Sequence, residues 1–149
     1  MGNLKETDKA YIAGYFDGEG TFSIGRQTDT RSPNGFTLQP YCSVASTSPI
    51  VIELLDKQIE GTHRRFTMRG RNNSKDIFQI QISGTEKIIN FIKIVSPYLH
   101  LKKIVADKLL IYCQSRLGKM KLPKNERKYT EKELSLFNEI RQLNKRGRR

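Results

Sequence analysis

Residues 12–20 read Ile12, Ala13, Gly14, Tyr15, Phe16, Asp17, Gly18, Glu19, Gly20. Small residues interrupt a bulky apolar run, and two acids alternate with glycines at its end. Upstream, Asp8 is placed to cap a helix running from Lys9 to Phe16, and Gly18 to Gly20 permit the turn that ends it. On that helix Ala10, Ala13, Gly14 and Asp17 fall at i, i+3, i+4 and i+7, a face stripped of side-chain bulk. Tyr11, Ile12, Tyr15 and Phe16 supply the apolar surface.

From Thr21 the period changes to two. Phe22 and Ile24 point one way and Ser23, Gly25 and Gln27 the other, as in a half-buried strand. After a polar loop through Ser32, Pro33, Asn34 and Gly35, alternation resumes. It sets Phe36, Leu38, Pro40, Cys42 and Val44 against Thr37, Gln39, Tyr41 and Ser43, and Pro40 argues for an edge position or a bulge. Ser48 and Pro49 open a second helix with an Ile50, Val51, Leu54, Leu55, Ile59 stripe ending at Gly61.

Two more strands fit His63 to Arg71 and Ile77 to Ser83, joined by the Gly70 to Lys75 loop. Thr85 to Val95 predicts a third helix stopped by Pro97, and Leu101 to Arg116 a fourth. After a linker near Gly118 to Lys128, Thr130 and Glu133 form a capping box for a last helix marked by Leu134, Phe137, Ile140 and Leu143. The fold class is α+β, in the order helix, two strands, helix, two strands, then helices, with an antiparallel four-stranded sheet and helices on one side. With 149 residues, one domain is expected, its core at about 8–116 and its C-terminal helix at about 130–146.

Such a sheet turns its other face to solvent. That face reads Ser23, Gln27, Thr37, Gln39, Tyr41, Ser43, Arg65, Thr67, Arg69, Arg71, Gln79 and Gln81. Arg suits guanine, Gln suits adenine, hydroxyls reach bases or phosphates, and acids are nearly absent. Alternating polar residues also merely solvate an ordinary antiparallel sheet, but ordinary faces mix Glu with Lys.

The charge agrees with a nucleic-acid partner. Lys and Arg number 27 against 15 Asp and Glu, a net +12, in a chain that still carries 7 Phe and 6 Tyr. The excess charge therefore sits on a folded body and calls for a polyanion. Cys42 and Cys113 lie in apolar segments without a CxxC partner, which excludes zinc ligation and stapling as the expectation. No signal-type run or membrane-length apolar stretch occurs, so no membrane partner is expected and the setting is intracellular, the cytoplasm of a prokaryote or an organelle.

The nine residues from Ile12 to Gly20 resemble the signature of the LAGLIDADG homing endonucleases: apolar, Ala, Gly, apolar, apolar, Asp, Gly, acid, Gly. The neighbouring elements follow that family's αββαββα plan over roughly Lys9 to Arg116, in the manner of its single-motif homodimeric branch. The resemblance implies site-specific double-strand cleavage of a long, pseudo-palindromic DNA site, leaving 3′ overhangs, in the setting of intron homing. It implies that Glu19, with Gly18 beside it, binds metal, and that Asp17 is structural.

Lys102, within Pro97, Tyr98, Leu99, His100, Leu101, Lys102, matches a lysine that polarises the water network in relatives, with Lys103 as the fallback. Ser46 matches the position of a polar Gln, with Thr47 next. Where relatives often carry Arg, this chain has Ile50 or Val51, which is a departure. The stripe of Ala10, Ala13, Gly14 and Asp17 would let two copies pack across a two-fold axis. Two converging carboxylates repel unless cations intervene, and hard oxygen ligands beside phosphate favour Mg²⁺. His63 and His100 have no motif partner, and metal-held water needs no histidine.

Two rivals remain. A catalytically silent DNA-binding regulator, or a maturase acting on intron RNA, would share the fold; a ribosomal-type protein would bind nucleic acid without sequence preference and ignore magnesium.

Overall fold

The computed structural model describes residues 4–59, 63–68 and 76–146, with the backbone alone described for 63–68 and for Arg146. The chain order is α1 (Glu6–Glu19), β1 (Gly20–Thr28), β2 (Phe36–Ser46), α2 (Pro49–Gln58), β3 (His63–Met68), β4 (Ile77–Ser83), α3 (Thr85–Val95), α4 (Lys103–Leu117) and α5 (Glu131–Arg146). A short 3₁₀ turn at Ser96–Tyr98 separates α3 from α4. The strands form one sheet in the order β1-β2-β4-β3, every neighbouring pair antiparallel. Two hairpins thus join through β2 and β4, with α2 as the crossover.

Period two decides which sheet face the helices cover. Phe22, Ile24, Leu38, Cys42, Val44, Ile80 and Ile82 are buried, and they join Ile12, Ala13 and Phe16 of α1, the inner side of α3, and Ile140 of α5 in one core. Phe16 is its centre: the ring lies 4.9 Å from Phe91 and 5.7 Å from Phe22, tilted against both. Each buried aromatic of this kind contributes on the order of 2–3 kcal/mol by removal from water.

α1 begins earlier than expected. Lys5 stands at its N-cap without a side-chain cap bond, since an ammonium has no acceptor to offer, and the Asp8 carboxylate accepts from Gln58 Nε2 at 3.3 Å. The capping box of α5 forms as expected: Glu133 N–H donates to Thr130 Oγ1 at 3.1 Å, and Thr130 N–H to Glu133 Oε1 at 2.9 Å.

Pro40 finds its reason in the register. Strand β4 ends at Ser83, which pairs with Tyr41, so β2 has no neighbour on that side at Pro40 and a missing N–H costs nothing there. One turn of pairing further, the Leu38 N–H donates to the Tyr129 hydroxyl at 2.7 Å. The tip of the β1–β2 hairpin is held to the α4–α5 linker in other ways too. Tyr129 N–H donates to Asn34 Oδ1 at 3.1 Å, Lys124 pairs with Asp29, and the Phe36 and Tyr129 rings stack at 5.7 Å with 3° between planes.

Behind Tyr129 lies a buried charge pair. Arg116 stands 4.2 Å over the Tyr129 ring and meets Glu133 at 3.3 Å with side-chain exposures of 9% and 0%. Its other donors go to the carbonyls of Arg127 and Lys128, while Ser115 and Lys119 complete the carboxylate. Burial raises the Glu133 carboxyl, but these donors outweigh it and hold it below its ordinary value. The stabilisation is therefore present above the usual glutamate range and is lost as pH falls through the lowered value. We predict that Glu133→Ala, which leaves Arg116 buried without its partner, lowers stability by about 3–5 kcal/mol in urea denaturation, and that this cost shrinks in acid.

Candidate active site

The end of α1 and the start of α4 are tied together by one carboxylate. Asp17 Oδ2 accepts from the N–H groups of His100 and Leu101, both at 3.0 Å, and Oδ1 from that of Lys102 at 2.8 Å. Burial raises this carboxyl, yet the three amides and the nearby His100 prevail and keep it below its ordinary value. The second acid of the motif then falls on the far side of the helix end. Glu19 is exposed and makes no hydrogen bond or ion pair among the described residues.

Lys102 turns back across this junction. Its ammonium donates to the Gly20 carbonyl, and burial lowers its proton affinity while the charges of Asp17 and Glu19 pull the other way. Ser46 ends β2 two residues beyond Val44, which pairs with Gly20. Glu19, Gly18, Lys102 and Ser46 are thus gathered at one end of the sheet. Ser46 Oγ accepts from Ser48 N–H at 3.0 Å, which leaves its own proton free to donate. Lys103 is directed elsewhere, donating to Ser96 Oγ at 3.0 Å and pairing with Asp107. Of the two residues at the position where the resemblance implies Arg, Ile50 is 76% exposed and Val51 half-buried.

The glycines of the motif have different reasons. A Cβ on Gly20 would stand 2.8 Å from both Cα and O of Phe16, so the chain can leave the helix there only as glycine. Gly14 and Gly18 have nothing within 4 Å of such a Cβ. Their smallness serves no contact inside this chain.

The helix face expected at a dimer interface needs correction. Ala13 is fully buried in the core and Asp17 is spent on the amides of α4, since a helix packed on the sheet must give one side to each. Ala10 and Gly14 remain exposed, joined by Gly18 and by Tyr11 at 43%.

On the polar sheet face Ser23, Thr37, Tyr41, Gln79 and Gln81 are half-buried and Gln27 and Gln39 exposed. Gln39 Nε2 donates to Gln27 Oε1 at 3.1 Å and Gln81 Nε2 to Ser83 Oγ at 3.1 Å. Ser43 is a second correction. Set between Thr21 and Gln81, it is only 8% exposed.

The parity of β3 is a third. Arg64 pairs with Gln81, whereas Arg65 pairs with Ile80 and Thr67 with Phe78. Directly opposed residues share a face, so Arg64, not Arg65 or Thr67, lies on the polar side. Arg69 and Arg71 fall outside the described residues.

Searched against protein-family models, the sequence matches none, and no curated protein matches it. Solved structures do. The homing endonuclease I-CvuI in complex with its target, in the presence of 2 mM Ca, superposes with a TM-score of 0.67 at 19% identity, over 93% of this chain and 82% of that one. The LAGLIDADG homing endonuclease I-LtrWI, bound to target DNA, gives 0.63 at 22% identity over 89% of this chain and 42% of its own. This chain has the LAGLIDADG homing-endonuclease fold. The archaeal intron-encoded I-Vdi141I, complexed with DNA, is matched over 95% of this chain and 99% of its own, with a TM-score of 0.56 and 20% identity.

Within that fold the Asp17 brace and the Gly20 exit are what set Glu19 beside Lys102. We predict that Gly20→Ala, which must push Phe16 out of register with Phe22 and Phe91, costs about 1–3 kcal/mol in denaturation. A substitution of Gly18 by Ala should leave the melting temperature of the isolated chain unchanged within a degree or so.

Proposed function

We propose that this chain is a site-specific, double-strand DNA endonuclease that works as a homodimer on a long, pseudo-palindromic site, uses Mg²⁺, leaves 3′ overhangs and serves intron homing. The observation that carries the reading is an exposed, unpartnered carboxylate, Glu19, held beside Lys102 at the end of a helix whose free face is bare at Ala10, Gly14 and Gly18.

One protomer offers few ligands for a cation. Among the described residues no three His, Cys, Asp or Glu side chains gather to hold one. Glu19 and the carbonyl of Gly18 are hard oxygen donors, suited to Mg²⁺ once a second protomer's Glu19 and the DNA phosphates complete the set. That two-fold arrangement also explains why Gly14 and Gly18 are small where their own chain leaves room. It gives two copies of the reading face, one for each half-site.

A bound Mg²⁺ supplies Lewis acidity and an activated water. The chain's own groups supply position. Glu19 would hold the cation as a hard carboxylate ligand. Lys102, tethered at Gly20 and partly desolvated, presents positive charge and a proton donor where negative charge develops on phosphate. The Ser46 hydroxyl, already accepting from Ser48, donates its proton to order water. Gln27, Gln39, Tyr41, Gln79 and Gln81 face the major groove, and the net +12 draws the duplex in.

Three outcomes test this. Incubated with Mg²⁺ and a large pool of duplex sequences, the chain should select and cut a pseudo-palindromic family of sites. Glu19→Gln should still bind those sites while cutting falls by at least about 1000-fold, the scale of losing a charge-stabilising group; cutting at the wild-type rate would remove Glu19 from the reaction. Gly14→Leu should block close helix approach, and light scattering should then report monomer where the wild type is dimer.

A further inference from the structure

β1 is an outer strand, and its open edge is not bare. Asn144 of α5 donates to the Phe22 carbonyl at 3.0 Å, so the helix runs beside that edge. Between them opens a cleft of about 370 Å³ lined by Ile24, Arg26, Thr28, Phe137 and Arg141.

Both guanidinium groups in this cleft are set by aromatic rings. Arg26 stands 4.6 Å over Phe36 and Arg141 stands 5.5 Å over Phe137. Neither has a carboxylate partner among the described residues. Stacking fixes a planar fork of donors without using its edge N–H groups. Two such forks in one cleft repel each other until an oxyanion accepts from both.

The position in the sheet says which oxyanion. Strands lie about 4.8 Å apart, so the outer strands of a four-stranded sheet stand roughly 14 Å apart. The major groove is about 12 Å wide. A sheet seated there brings its edge strands against the groove walls, which are sugar-phosphate backbone. Gln27, the next residue to Arg26, is on the reading face and bonded to Gln39, whereas Arg26 pairs with Leu38 and shares the parity of Ile24, so the cleft lies along the β1 edge on the helix side, directly behind the reading face.

We propose that Arg26 and Arg141, with the Thr28 hydroxyl, bind a backbone phosphate of the duplex held on the sheet, clamping one wall of the groove. This rests on the DNA reading above, but neither arginine belongs to the base-reading or the cleaving residues. The clamp adds affinity without sequence preference.

The test is the salt dependence of binding to an arbitrary duplex, followed by anisotropy for the wild type, Arg26→Gln, Arg141→Gln, the double variant and the charge-keeping Arg26→Lys/Arg141→Lys. Each neutralised phosphate contributes about 0.9 to the slope of log affinity against log salt, so with one phosphate held per cleft the double Gln variant should lose about 0.9 for each cleft engaged, while the Lys pair restores most of it. Melting temperatures and the sequence preference in the cleaved pool should not move. Unchanged slopes in the double variant overturn the proposal. So does a wild type protected by inorganic phosphate through these arginines while duplex binding ignores them, or a loss seen only with structured RNA. If the DNA reading itself is wrong, the wild type shows it first by binding no duplex.

Discussion

One carboxylate governs the geometry of the candidate site. Asp17 gathers three amide protons from the segment entering α4, and so ties the end of α1 to that segment. Charge-assisted bonds of this kind are about twice as strong as neutral ones. They hold at a point where the chain changes direction twice, from α1 into β1 and from α3 into α4. Because Asp17 is satisfied within its own chain, its neighbour two residues on is the acid left to face outward. The division of labour between the motif's two acids is thus a matter of which side of the helix end each occupies.

The same economy appears along the sheet. One face is apolar and sealed by α1 to α5. The other presents amides and hydroxyls, with Asp29 at the hairpin tip neutralised by Lys124 and Arg31. The polar face is partly prepaired, Gln27 with Gln39 and Gln81 with Ser83, so the side chains reach outward from defined positions. Rigid presentation of polar groups loses less freedom on binding than flexible presentation does.

Much of this could be read from the residues. Period two placed β1, β2 and β4, and the capping box placed α5. The motif pointed to Glu19, and Pro40 announced an unpaired stretch. The failures are physical as well. In β3 the adjacent Arg64 and Arg65 put a charge on both parities, so alternation cannot choose a face; only the pairing with Gln81 and Ile80 does. Ala13 is small and looked like interface, but small residues also suit a helix pressed on a sheet. Ser43 follows the polar alternation yet sits under its neighbours. Glu133 was legible as a cap and not as the partner of Arg116, since that contact needs the linker to fold back. Arg26 and Arg141 gave no signal, because ring stacking has no spacing rule along the chain.

The ties between the hairpin tip and the linker join residues far apart in order: Leu38 and Tyr129 are separated by 91 positions, and Asn34 and Tyr129 by 95. Contacts of such long span close late. On a ribosome, where synthesis runs at about 5–20 residues per second, the hairpin would wait several seconds after emerging before its brace existed. Throughout that interval the open edge of β2 at Leu38 and Pro40 has only water for company, and a nascent chain in that state is at its most exposed to strand pairing with a neighbour.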